Sequence, residues 1–297
     1  PVLLRLAEDE FWFSLSDSDL MLWLQGVNVS KKFDVEIDEI DVCPVQIQGP
    51  LSEDLMAKLA GEELREIPYY GLMETNIEGA DVVISQTGFT GEKGYEIYVR
   101  DAHENAEIVW NAVLEAGKEF GLMVIAPAHH RRIAAGILSW GQDLDLETSP
   151  FQVNLSYQVP RNKEADYIGK EELERQREVI DAGDFPFKMR MVGLTLGGKE
   201  ITDYAPDFWL IADTDGNDMG YVTSPWWSPE LNTNIALGWV PCTSSEVGTK
   251  LLVRLPDEYS ESSGVPVEGE IVDVPFRESV TPNKREVQKE KGLDYAD

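Results

Sequence analysis

The chain has 297 residues, 42% of them hydrophobic, enough to build roughly two domains of ~150 residues each. Its 55 Asp and Glu against 25 Lys and Arg leave a formal charge of −30, which argues against nucleic acid as a partner because the phosphate backbone would be repelled. The 8 Trp, 10 Tyr and 10 Phe argue against an acidic disordered chain, and no run of ~18 apolar residues offers a membrane span.

Carboxylates spread along the whole chain fit a folded protein with a surface adapted to molar salt, where self-repulsion is screened. The N-terminus has neither a charged leader nor a small-residue cleavage site, so a cytoplasmic location is expected. Cys43 and Cys242 have no partner spacing for zinc and read as inert core residues. The chain starts without Met, at Pro1-Val2-Leu3-Leu4, so an upstream segment is expected.

In chain order, residues 2–6 and 11–15 carry bulky β-formers around Ala7-Glu8-Asp9 and predict a hairpin. Ser16-Asp17-Ser18-Asp19 offers caps for a helix whose apolar residues Leu20, Leu22 and Trp23 end before Gly26. Alternation predicts strands at Val35-Glu36-Ile37 and Val45-Gln46-Ile47, the second broken by Gly49-Pro50. A helix follows, with Ser52 as cap, Leu55, Met56 and Leu59 on one face and Gly61 at its end. Residues 81–86 and 95–99 predict two strands around a glycine-punctuated loop at 87–94. Helical spacing returns between Glu104 and Phe120 and again over 127–138. Beyond about Asp184 the pattern changes to short strands at 189–196, 208–212, 221–223, 235–240, 251–255 and 271–274, which predicts a small barrel or sandwich.

The expected organisation is therefore an α+β region over 1–183 with mixed or antiparallel sheets, an all-β barrel or sandwich over 184–276 and a charged tail over 277–297, frayed at the end. His129-His130 is the one histidine pair, and neighbours on a helix point to different sides, so no metal site is read there. Neither a nucleophile elbow nor a phosphate-binding glycine motif occurs. The notable constellation is the loop Thr87-Gly88-Phe89-Thr90-Gly91-Glu92-Lys93-Gly94 running into Tyr95-Glu96-Ile97-Tyr98. Its glycines allow close backbone approach, while Glu96 and Tyr98 share one strand face. By residue type alone, Glu96 is either a ligand carboxylate or an acidic strand residue facing solvent.

T-G-F-T-G-E-K-G-Y-E-I resembles the signature of the glycine cleavage T-protein (aminomethyltransferase) family. Further matches keep the family's order: Gln48-Gly49-Pro50, Arg132 through Gly141-Gln142-Asp143, Ser149-Pro150, Asp166 to Leu173, Gly220-Tyr221-Val222-Thr223-Ser224, and Val274-Pro275-Phe276. The resemblance covers roughly residues 1–276. It implies a folate-binding region and a C-terminal barrel, with tetrahydrofolate as cofactor. It implies that Glu96 grips the aminopyrimidine edge of the pterin through two parallel charge-assisted bonds. Tyr98 and Phe89 are implied to pack on the flat rings or to serve as plain core. Arg132 is implied to pair with a folate or substrate carboxylate, or else to form a helix-surface ion pair; the acidic residue that often follows it is Ala134 here.

The opening Pro1-Val2-Leu3-Leu4 with Phe11-Trp12-Phe13-Ser14-Leu15-Ser16-Asp17-Ser18-Asp19 is similar to the branch that demethylates dimethylsulfoniopropionate. The expectation is thus methyl transfer from a small sulfonium or methylamine donor to tetrahydrofolate. The T-protein reaction with a lipoyl carrier is the alternative, and a truncated, non-catalytic folate-binding protein is a third reading. The family's catalytic Asp falls just ahead of Pro1 and its N-terminal aromatic stretch further upstream, so the first third of the family pattern is absent and no catalytic residue is assigned. The iron–sulfur assembly relatives carry a cysteine within K-G-C-x-x-G-Q-E; Ile168-Gly169-Lys170-Glu171 lies in the corresponding stretch without one, which argues against that scaffold role.

Overall fold

The structure is a computed structural model that describes residues 1–15, 18–161 and 163–277. Contacts divide the chain into two compact units, Pro1–Ala126 and Pro127–Asp297. The division lies upstream of the change in strand character near residue 184, because the helices and turns after Pro127 hydrogen-bond to the barrel strands. The tail beyond Arg277, and Ser16 and Asp17 among the expected caps, lie outside the described residues.

In the first unit, β1 (Val2–Arg5) and β2 (Phe11–Ser14) form the expected hairpin, with Leu3 opposite Phe13. Helix α1 (Leu20–Lys31) runs through Gly26 and stops at Lys32, whose φ of 54° is left-handed. A single glycine costs a helix only ~1 kcal/mol, too little to end one that has further turns to make. Residues 35–37 form no strand, since no neighbouring strand is there to pair with them; alternation alone does not supply a partner.

A four-stranded antiparallel sheet follows in the order β3-β6-β5-β4, from β3 (Val42–Gln48), β4 (Leu72–Ile77), β5 (Ala80–Ser85) and β6 (Gly94–Arg100). Strand β4 escapes the sequence reading because Glu74, Thr75 and Asn76 dilute its apolar signal. Tyr95, Ile97 and Val99 face a core shared with Leu55 and Met56 of α2 (Ser52–Ala60) and Val109 and Val113 of α3 (Ala102–Gly117). The period-2 alternation of β6 sends Glu96 and Tyr98 to the opposite face. There a small second core joins Leu4 of the hairpin to Val83 and Tyr98, with Trp12 packed against it.

In the second unit, β7 (Met189–Leu196), β8 (Trp209–Ala212), β9 (Asp218–Ser228), β10 (Thr233–Pro241), β11 (Lys250–Val253) and β12 (Val267–Val272) close into a barrel ordered β10-β7-β12-β11-β8-β9. Closure removes free strand edges, and the inward residues Leu194, Ile211, Ala236 and Val253 are fully buried. Helix α4 (His129–Ala134) is shorter than the 127–138 expected, and α5 (Lys170–Asp181) precedes the barrel. Gly136, at φ 67°, is left-handed just beyond α4 and ends its helical course. The cysteines correct their reading as core: Cys43 is exposed on β3, and Cys242 is half-buried with its thiol donating to the Phe187 carbonyl. Among the described residues, no helix is long and apolar enough to cross a membrane.

Candidate functional site

Glu96 sits mid-strand on β6, directly across from Ser85 on β5 and Gln46 on β3. Its side chain is half-buried. One carboxylate oxygen, Oε2, accepts a short hydrogen bond from the Thr87 hydroxyl and another at 3.1 Å from the Tyr98 hydroxyl. Thr87 and Ser85 hydroxyls lie 2.5 Å apart. Because the one Thr87 hydroxyl proton goes to the carboxylate, Ser85 is the donor in that pair. The result is a fixed acceptor: Oε2 is held from two sides, while no described residue donates to Oε1.

Tyr98 takes the plain-core alternative and adds its hydroxyl to the site. Its ring is 2% exposed and packs against Leu4 and Val83, so it offers the site its hydroxyl and not a ring face. Burial, and then the neighbouring Glu96 charge, push the phenol up to about 12, so the hydroxyl keeps its proton and remains a donor across the neutral range. Phe89 is 40% exposed at the loop tip, the one aromatic of the constellation with an open ring.

The loop owes its shape to groups outside the signature. Gln48, at the end of β3, donates from Nε2 to the Ile47 and Thr87 carbonyls at 3.1 and 3.3 Å, and its Oε1 accepts from the Thr90 hydroxyl at 2.7 Å. Ser52, expected as the α2 cap, is instead the first helical residue and donates its hydroxyl to the Lys93 carbonyl at 3.0 Å. Lys93 pairs with Glu53, and that contact first of all holds the Glu53 carboxyl below the usual carboxylate range.

Arg132, in the second unit, forms a buried ion pair and not the helix-surface one. Its side chain is 1% exposed, and all five N–H donors are used within the protein. Nε meets His129 Nδ1 at 3.3 Å; Nη1 meets the Ile137 carbonyl at 3.1 Å and Asp143 at 2.8 Å; Nη2 meets Gln142 at 3.3 Å and Ser224 at 2.8 Å. Asp143 in turn accepts from Thr223 at 2.6 Å, Ser224 at 2.5 Å and the Ser139 backbone at 2.8 Å. The network ties α4 and the turn after it to β9. His129 is held down at about 4 by burial and by the Arg132 charge, so it is neutral and free to accept from the guanidinium. Thr87, Gln48 and Asp143 carry no sequence signal of their roles beyond standing within the quoted motifs.

Residues 1–163 match the GCVT N-terminal domain, and residues 190–276 match the glycine cleavage T-protein C-terminal barrel domain. A dimethylsulfoniopropionate demethylase of Ruegeria pomeroyi is 35% identical over 257 residues, which span 86% of this chain and 67% of the relative. An aminomethyltransferase of a Geobacillus species is 30% identical over 262 residues, 84% of this chain and 69% of the relative. The crystal structure of glycine cleavage system aminomethyltransferase T from Bartonella henselae superposes with a TM-score of 0.65 at 22% identity, covering 86% of this chain and 66% of that one, a likeness of fold alone. The chain thus spans about two thirds of the length of these relatives. The N-terminal domain match extends over more than half of the sequence, and the chain belongs to the glycine cleavage T-protein family.

Proposed function

We propose that this chain binds tetrahydrofolate and transfers a methyl group to it from a small sulfonium or methylamine donor. The observation that carries the proposal is the half-buried Glu96 carboxylate, with Oε2 fixed by Thr87 and Tyr98 and no described residue donating to Oε1. A carboxylate is acceptor-only, and a pterin edge presents adjacent N–H donors, so the residue type fits the group. Phe89, open at the loop tip, fits the flat face of the same ring.

When bound, a reduced folate supplies a nucleophilic nitrogen that accepts the one-carbon unit. Glu96 orients it; Thr87 and Tyr98 keep Glu96 from rotating, so little freedom remains to be lost on binding. A sulfonium donor leaves as a neutral thioether, which asks for position and not for a proton. A methylsulfonium donor is favoured by the similarity to the Ruegeria demethylase. Aminomethyl transfer from a lipoyl carrier is favoured by the similarity to aminomethyltransferases.

Titration of the purified chain with tetrahydrofolate, followed by product analysis, tests the proposal. Methyltetrahydrofolate formed from sulfonium or methylamine donors supports it. Methylenetetrahydrofolate formed only with a lipoylated carrier turns it into the aminomethyltransferase reading. Binding without any turnover reduces the chain to a folate-binding protein, and absence of binding removes the folate reading.

A further inference from the structure

We propose that Gln48 is a positioning residue that sets the carboxylate of Glu96 through Thr87; this rests on the folate reading above. The side chain lies between the two ends of the loop. A Cβ added at Gly88 would stand within 3.0 Å of three Gln48 side-chain atoms, and one added at Gly94 would meet the same side chain together with the Ile47 carbonyl. The two glycines are therefore the space through which Gln48 passes. From that space its amide does two things. Nε2 donates to the Thr87 carbonyl at 3.3 Å, and Oε1 accepts from the Thr90 hydroxyl at 2.7 Å, so both arms of the loop are bound to one side chain.

Thr87 is the joint. Its carbonyl is held by Gln48, while its hydroxyl donates to Glu96 Oε2. A shift of the loop at Thr87 carries the hydroxyl with it and releases the carboxylate to other rotamers. Thr87 is 4% exposed, so no water replaces the lost amide partner without opening the loop. The amide at position 48 supplies a donor for Thr87 and an acceptor for Thr90 at once; an ionised Glu lacks the donor, and Met offers no donor and only a weak acceptor.

The test is calorimetric titration with 5-formyltetrahydrofolate, an air-stable reduced folate, on the wild-type chain and on Gln48→Met, Gln48→Ala, Gly88→Ala and Gln48→Ala/Gly88→Ala. Gln48→Met fills the same space without the hydrogen bonds, so its thermal midpoint falls by only a few degrees and the chain stays folded, while its folate affinity falls about tenfold. Gly88→Ala weakens binding when Gln48 is present and adds nothing to Gln48→Ala, because the atoms its methyl would strike are then gone. Full affinity in Gln48→Met, or additive losses in the double variant, overturns the positioning role. Failure of the wild type to bind the folate removes the folate reading itself, and this inference with it, and is told apart from the other outcomes at the first titration.

Discussion

Arg132 and Asp143 meet at 2.8 Å with their side chains 1% and 0% exposed. Removing one member leaves the other charge buried without its partner, and for such a pair the cost is ~3–5 kcal/mol. Asp143→Ala is expected to lower stability by that order in urea unfolding, since Thr223, Ser224 and the Ser139 N–H lose their acceptor as well. A loss below ~1 kcal/mol, the range typical of exposed pairs, would show that the buried network adds little to the fold.

Glu96→Gln keeps the size of the side chain and removes its charge. A hydrogen bond to a charged group is worth ~1.5–3 kcal/mol, so folate affinity is expected to fall ~10- to 100-fold. Because the side chain is only half-buried, the melting temperature is expected to stay nearly unchanged. Calorimetric titration and a thermal scan check both halves, and equal affinity in the variant speaks against the pterin contact.

His129 gives stability a pH dependence of known sign. The folded imidazole takes up its proton only near pH 4, whereas the unfolded one does so near the ordinary value of 6.5. Its contribution is complete above pH 6.5 and is lost progressively as the pH falls toward 4, because the unfolded state binds the proton first. The melting temperature of the wild type is expected to fall relative to that of His129→Asn across this window. Parallel curves for the two proteins would contradict it.

A methyl group at Gly220 would stand less than 3.0 Å from the Trp239 carbonyl oxygen on the paired strand β10. Backbone cannot swing aside as the end of a side chain can. Gly220→Ala is therefore expected to cost ~1–3 kcal/mol through overpacking between β9 and β10, read by chemical denaturation.

With a formal charge of −30, the folded chain repels itself in dilute buffer. Screening shortens the reach of that repulsion to ~3 Å at molar salt. The melting temperature is expected to rise steadily from dilute to molar potassium chloride, and a flat response would remove the case for a salt-adapted surface.

Much of the architecture was readable from residue order. The hairpin, α2 with its Gly61 stop, the strands around the 87–94 loop and five of the barrel strands follow from periodicity and turn residues, which act over a few positions, whereas β12 shares only Ile271 and Val272 with the strand expected at 271–274. What periodicity overstated was the strand at 35–37 and the length of α4; what it missed was β4, where polar residues occupy a strand held in place by its neighbour β5. Glu96 was visible because its motif is contiguous. Its support was not, since Gln48 lies 39 positions from the carbonyl it holds.

Residue types in sequence determined that this chain folds into an α+β region and a small all-β domain, and that Glu96 stands on a strand face beside Tyr98. Only the tertiary structure decided that Tyr98 serves through its hydroxyl, that Arg132 spends every donor inside the protein, and that among the described residues none donates to Oε1 of Glu96. The physical reason is that backbone patterning is local, whereas the satisfaction of a buried polar group depends on partners brought from distant parts of the chain.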